Sequence, residues 1–228
     1  MAYQILNPQR RGGNILGMLF DMDGVILDSE KLYCRFWREA ACSLGYPMTE
    51  EQALGMRSLN RDAGEAQLRS YFGPGVIYEE VRDRRIELMD AYVDIHGVDA
   101  KPGIHELLDY LEQNGIPAAI ATSSPIERTI RYLKPLGLHD RFQAVCTGYD
   151  VPKGKPEPDI YIHAAALLGL APGCCMALED SNSGLQSAVS AGCAAVFIPD
   201  RAPVDAGIVP FLYARADCLT DVIGLLRA

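Results

Sequence analysis

Apolar residues along the chain fall into two patterns. Five short runs are apolar almost without interruption: Ile15–Phe20, Pro117–Ala121, Phe142–Cys146, Cys175–Leu178 and Ala194–Ile198. Short runs without alternation predict strands covered on both faces, as in a parallel sheet. Between them lie amphipathic stretches with helical spacing, several followed by a glycine (Gly115, Gly169, Gly192) suited to the left-handed residue that ends a helix. Strands alternating with helices predict an α/β fold with a doubly wound, mainly parallel sheet.

From Ser29 to about His96 the alternation stops and only helical patterns remain. Residues 29–44 place Leu32, Tyr33, Phe36, Trp37, Ala40, Ala41 and Leu44 on one face, and Gly45 follows as a stop. Thr49 and Gln52 have capping-box spacing for a second helix. Asn60 is a candidate cap for a third, and Ile77 to Ile95 reads as a longer fourth. The pattern predicts a helical cap domain over residues 29–97, inserted into a core made of residues 1–28 and 98–228. Gly97 and Lys101-Pro102-Gly103 would form the return hinge. Met1 to Asn14, with Arg10 and Arg11 but no long apolar stretch, reads as a short disordered lead-in and not as a secretion signal.

The 228 residues, 49% apolar and 22% charged, are enough for a substantial core without staples. A formal charge of −9 argues against nucleic acid and against anionic membranes as partners. If the ligand is anionic, positive charge must be supplied locally. The cysteines (34, 42, 146, 174, 175, 193 and 218) are odd in number and lack CxxC spacing, as expected of small buried hydrophobes in a reducing cytosol. No apolar stretch reaches the ~18 residues of a membrane span. A cytoplasmic protein is expected, with a monomer as the default.

Chemistry gathers where the strands end. Leu19-Phe20 runs into Asp21-Met22-Asp23-Gly24, Ile120-Ala121 into Thr122-Ser123-Ser124, and Cys175–Leu178 into Glu179-Asp180. Ligands of open α/β sheets bind at the carboxyl edge of the strands. A lone Asp-x-Asp-Gly is more often a turn, and a lone Glu-Asp more often opens a helix. Two acidic clusters at one buried edge, however, repel each other unless a cation relieves them, and Mg²⁺ is the usual choice with phosphate substrates. Ser124, Pro125 and Glu127 have the spacing of an N-cap, first helical residue and capping-box partner, and such a helix start is also an anion site. Lys155, in Lys153-Gly154-Lys155-Pro156-Glu157-Pro158-Asp159, could be aimed inward by the following proline to balance the carboxylates and bind a phosphate oxygen.

In order, the segments Phe20–Glu30, Ala121–Ser124, Gly154–Asp159 and Leu178–Ser181 resemble the four signature motifs of the haloacid dehalogenase superfamily. The chain is similar to its branch of phosphatases and phosphomutases with a helical cap after the first strand of a Rossmann-like core. The resemblance implies Asp21 as a nucleophile that forms an aspartyl-phosphate and binds Mg²⁺. It implies Asp23 as general acid/base, with its backbone carbonyl on the metal, Thr122 and Lys155 as holders of the phosphoryl group, and Glu179 and Asp180 in the metal site. The presence of Asp23 speaks against dehalogenation. Ser123, Arg57, Arg61 and Tyr33 are the candidate substrate contacts, the last three from the cap. The substrate would be a small phosphorylated metabolite, a sugar or nucleoside monophosphate.

Two alternatives stay open. β-Phosphoglucomutase-like members carry a histidine five positions after the motif aspartate; counted from Asp28, this chain has Tyr33, which favours a phosphatase over a mutase. Receiver signalling domains share the residue types, but there the acidic pair ends the first strand and no cap is inserted.

Overall fold

A seven-stranded sheet organises the larger part of the computed structural model, which describes residues 3–57, 59, 61–201 and 203–227. Its strands are β1 (Tyr3–Ile5), β2 (Gly17–Phe20), β3 (Ala118–Thr122), β4 (Ala144–Thr147), β5 (Cys175–Glu179), β6 (Ala194–Phe197) and β7 (Ala214–Ala216), in the order β1-β7-β6-β5-β2-β3-β4. Every pairing is parallel except β1 with β7. The five apolar runs form the contiguous block from β6 to β4. Strands β2, β3, β5 and β6 are buried at every position, which is why their sequences do not alternate.

From Tyr3 onward, the lead-in expected to be disordered is instead structured. Tyr3, Gln4 and Ile5 pair antiparallel with Ala216, Arg215 and Ala214. Asn7 then caps a 3₁₀ turn at Pro8–Arg11, its Oδ1 accepting from the Gln9 N–H at 3.1 Å. Edge pairing needs only backbone groups, so this short, half-exposed strand shows no apolar run. β7 was equally invisible, with three residues that alternate buried, exposed, buried.

The sheet belongs to a unit formed by Met1–Asp28 and Ala100–Ala228; Ser29–Asp99 forms a second unit. In the first, α5 (Ile104–Gln113), α6 (Ile126–Leu133), α7 (Asp159–Leu167), α8 (Asn182–Ala191) and α9 (Leu219–Arg227) accompany the strands. Gly115, Gly169 and Gly192 all have positive φ. The chain leaves and re-enters this unit side by side: Leu27 bridges antiparallel to Ala100, and the Lys101 N–H donates to the Ile26 carbonyl at 2.8 Å. One expected cap does not form. Pro125, not Ser124, occupies the N-cap of α6, and no side chain caps that helix. The Ser124 hydroxyl is committed to a distant partner instead.

The second unit is helical: α1 (Glu30–Ser43), α2 (Glu50–Leu54), α3 (Arg61–Phe72) and α4 (Tyr78–His96). Leu32, Phe36, Trp37, Ala40 and Ala41 of α1 are buried, and Phe36 and Trp37 lie against Tyr92 and Tyr78 of α4, with ring centroids 5.4 and 6.0 Å apart. Leu44, expected on the same face, is 39% exposed, because the helix has ended and the chain turns there. The Thr49–Gln52 capping box forms in both directions. Asn60, the candidate cap of α3, lies outside the described residues. The unit ends at Asp99, which pairs with Lys31 at 2.7 Å. Among the described residues, no helix is long and apolar enough to cross a membrane.

Candidate active site

Neighbouring strands β5, β2 and β3 deliver their terminal residues to one edge of the sheet. Asp21 follows β2 and is only 8% exposed; its N–H donates to the Leu178 carbonyl of β5 at 3.0 Å, which fixes its backbone at the strand end. Lys155 reaches in from the loop that precedes α7. Its ammonium donates to Asp21 Oδ1 at 2.5 Å, Glu179 Oε1 at 2.6 Å and the Ala121 carbonyl at 2.9 Å. All three of its protons have acceptors, so the charge is buried at little cost.

Glu179, the last residue of β5, is fully buried. Its Oε1 also accepts from the Tyr161 hydroxyl at 2.7 Å, and its Oε2 from the Ser181 hydroxyl at 3.1 Å. Ser181 itself caps α8, accepting from the Gly184 N–H at 3.1 Å. Two glycines give the carboxylates their space. A Cβ at Gly184 would run into the Glu179 carboxylate, and one at Gly24, where φ is +87°, would run into that of Asp180.

The donor set suits a hard divalent cation. Asp21, Glu179 and Asp180, all buried, each offer an oxygen within 4.8 Å of the other two. Three carboxylate oxygens without sulfur or imidazole match Mg²⁺ better than a softer metal. The Asp23 carboxylate is not among them; the family resemblance expects its backbone carbonyl there.

Electrostatics sharpen the roles. Burial, opposed by Lys155 and aided by Glu179 and Asp23, pushes the Asp21 carboxyl up to about 8. Burial alone would lower Lys155, but Asp21 and Glu179 hold it above its ordinary value. The two shifts contend for one proton, and the geometry decides it. An ammonium with three oxygen acceptors keeps its protons, leaving Asp21 as the ionised partner.

Thr122 ends β3 fully buried, and its Oγ1 accepts from the Ser124 N–H at 3.0 Å. Ser123 between them is exposed. The Ser124 hydroxyl donates to Asp23 Oδ2 at 3.1 Å. The structure thus gathers Asp21, Thr122, Lys155, Glu179 and Asp180 at one edge, with Asp23 attached through Ser124. The cap candidates sit within their own unit. Arg57 is buried in an ion pair with Glu30, Arg61 is exposed and pairs with Glu79, and the Tyr33 ring lies under the Arg85 guanidinium, 5.0 Å from its centroid.

Sequence reasoning missed three contributors. Tyr161 lies among the buried apolar residues of α7, and only its hydroxyl distinguishes it. Ser181 was visible as part of a motif but not as a partner of Glu179. Gly184 gives no signal in a single sequence.

The chain is similar to known proteins over most of its length. The sequence profile of the haloacid dehalogenase-like hydrolases matches residues 15–192. A phosphorylated carbohydrates phosphatase of Thermotoga maritima is 32% identical over 183 residues, covering 77% of this chain and 81% of the relative. A β-phosphoglucomutase of Bacillus subtilis is 28% identical over 193 residues, covering 82% and 84%. The crystal structure of a hydrolase from Pseudomonas syringae superposes with a TM-score of 0.78 at 22% identity, covering 93% of this chain and 98% of that one, and so shares the fold.

Proposed function

The chain belongs to the haloacid dehalogenase-like hydrolase family and is an enzyme of it; on that premise we propose a Mg²⁺-dependent phosphatase that releases phosphate from a small phosphorylated sugar or nucleoside monophosphate. The observation that carries the reading is the Lys155 ammonium held between Asp21 and Glu179, beside the carboxylate of Asp180. Phosphate-monoester hydrolysis is among the slowest uncatalysed reactions, and it needs an in-line nucleophile with the phosphoryl charge neutralised. Asp21 attacks phosphorus and forms an aspartyl-phosphate, while Lys155 and Thr122 hold the phosphoryl oxygens. Asp23 gives its proton to the leaving oxygen and then takes one from the attacking water. Bound Mg²⁺ would supply further neutralisation of the phosphoryl charge from the Asp21, Glu179 and Asp180 oxygens, with the Asp23 carbonyl.

The phosphatase of Thermotoga maritima acts on phosphorylated carbohydrates, which favours a sugar phosphate here. For recognition, the proposal keeps Ser123 and, from the cap, Tyr33, Arg57 and Arg61. The seven cysteines are free thiols, which supports a cytoplasmic location, and the net charge of −9 supports a small-molecule substrate over nucleic acid.

A screen of phosphorylated metabolites for phosphate release, with and without chelator, tests the reading. Activity is expected on sugar phosphates, to vanish on chelation and to return with Mg²⁺. The similarity to a β-phosphoglucomutase sets the second arm, an incubation with glucose 1-phosphate and a bisphosphate primer followed by phosphorus NMR. Tyr33 stands where mutase-like members have histidine, and a phenol does not exchange protons readily near neutral pH. Phosphate release without glucose 6-phosphate is therefore expected; efficient isomerisation without release would overturn the phosphatase.

A further inference from the structure

Ser124 has the sequence signature of a helix cap and does not act as one. It is 5% exposed, and its N–H and its hydroxyl are both directed to residues at the active edge of the sheet. Its N–H donates to Thr122 Oγ1 at 3.0 Å, which pins the backbone against the end of β3. Its hydroxyl donates across 101 positions of sequence to Asp23 Oδ2 at 3.1 Å. The Pro125 that follows takes an extended conformation (φ −67°, ψ 155°), so α6 begins beyond it and leaves the Ser124 hydroxyl to Asp23. A cap would use the hydroxyl oxygen as an acceptor from a helix N–H, but no side chain caps α6, and the hydroxyl serves as the long-range donor to Asp23.

We propose that Ser124 is a positioning residue for proton transfer by Asp23. The inference rests on the reading of Asp23 as proton donor and goes beyond it by naming what orients the donor. A hydroxyl that donates to Oδ2 fits both forms of the side chain, because Oδ2 is an acceptor in the carboxylate and in the acid. On the proton-donor reading, Oδ1 is the oxygen that exchanges the proton. In the first half-reaction the bond from Asp21 to phosphorus forms, the bond from phosphorus to the leaving oxygen breaks, and the Oδ1 proton passes to that oxygen. In the second, water attacks phosphorus, its proton goes to Oδ1, and Asp21 is released as carboxylate. Ser124 loses no proton in either step. It holds the Asp23 carboxyl plane so that Oδ1 is oriented for both transfers.

Proton donation matters most when the leaving group is poor, so the test compares an alkyl phosphate with 4-nitrophenyl phosphate. Ser124→Ala is expected to lose about tenfold or more in kcat on the alkyl phosphate and less than about threefold on the nitrophenyl ester, a share of the general-acid contribution. Ser124→Thr keeps the hydroxyl and should recover most of the loss on the alkyl phosphate. If Ser124→Ala melts early, Ser124→Cys, nearly isosteric with a weak donor, should show the same selectivity. Equal losses on both substrates, or none on the alkyl phosphate, would overturn the positioning role. Asp23→Asn is measured alongside to separate the two claims. A selective Asp23→Asn with an unselective Ser124→Ala refutes the inference alone, whereas an unselective Asp23→Asn refutes the proton-donor reading and the inference with it.

Discussion

Buried charge is handled differently in the two units. At the sheet edge, the Lys155 ammonium meets two carboxylates and a carbonyl, with a third carboxylate, Asp180, close by. In the helical unit, Arg57 is buried in an ion pair with Glu30, and the Arg85 guanidinium lies over the rings of Tyr33 and Trp37, 5.0 and 5.2 Å from their centroids. The helical arrangement sets its buried cations against a carboxylate or against aromatic faces. The sheet edge instead concentrates more negative charge than its lysine can neutralise. That surplus suits a cation or a positively assisted reaction, while the ion pair and ring contacts suit packing within the cap.

The sharpest way to break this contrast is to remove the proposed nucleophile. Asp21→Asn should lower phosphate release by more than about 10³-fold, since the covalent route then lacks its attacking oxygen. The fold should survive, because asparagine has nearly the same shape and Lys155 keeps Glu179 and the Ala121 carbonyl as acceptors. Residual activity within tenfold of wild type, in a phosphate-release assay, would refute the role.

Stability separates the two regions more directly. Lys155→Met leaves Asp21 and Glu179 facing each other, and Glu30→Ala leaves Arg57 buried without that carboxylate; each should cost about 3–5 kcal/mol in denaturant unfolding. Mg²⁺ should restore part of the loss in the first variant by binding the exposed surplus of charge, and none in the second. Equal responses to Mg²⁺ would dissolve the distinction. A smaller effect is expected of Asp180→Asn, which should raise the Mg²⁺ concentration needed for half-maximal activity by about tenfold or more. An unchanged Mg²⁺ dependence would mean the metal site is elsewhere.

How much of this was legible beforehand follows from the range of the interactions involved. β2, β3, β5 and β6 announced themselves because both faces are buried, and Asp21, Thr122 and Glu179 because each stands directly at a strand end. β1 and β7 did not, since pairing at an edge is a backbone property. Ser124 was read as a cap because capping is local and visible in sequence, whereas its bond to Asp23 crosses the domain. Leu44 was placed on the buried face because periodicity does not say where a helix stops. The cap arginines were recognised as cations, but nothing in the pattern pointed to Glu30 and Glu79 as their partners.

Tyr161 is the residue that periodicity was least able to reveal, and it supports the finest prediction. It is fully buried, and its hydroxyl gives Glu179 a donor beyond Lys155 and Ser181. Tyr161→Phe should cost about 1.5–3 kcal/mol of stability at neutral pH, the scale of a hydrogen bond to a charged group. Burial, and after it the negative charge of Glu179, raises the Tyr161 phenol well above its ordinary value of 10.0. The folded protein therefore keeps this proton above pH 10, where the unfolded chain gives it up. Because the folded state then binds more protons, stability from this group is complete below pH 10 and falls as pH rises beyond it. Denaturant melts between pH 7 and 11 should show the gap between wild type and Tyr161→Phe constant up to about pH 10 and narrowing above it, as only the wild type has this phenol to titrate. A gap that widens with pH would place an ionised phenolate in the folded protein, and Glu179 would then lack the donor on which its position depends.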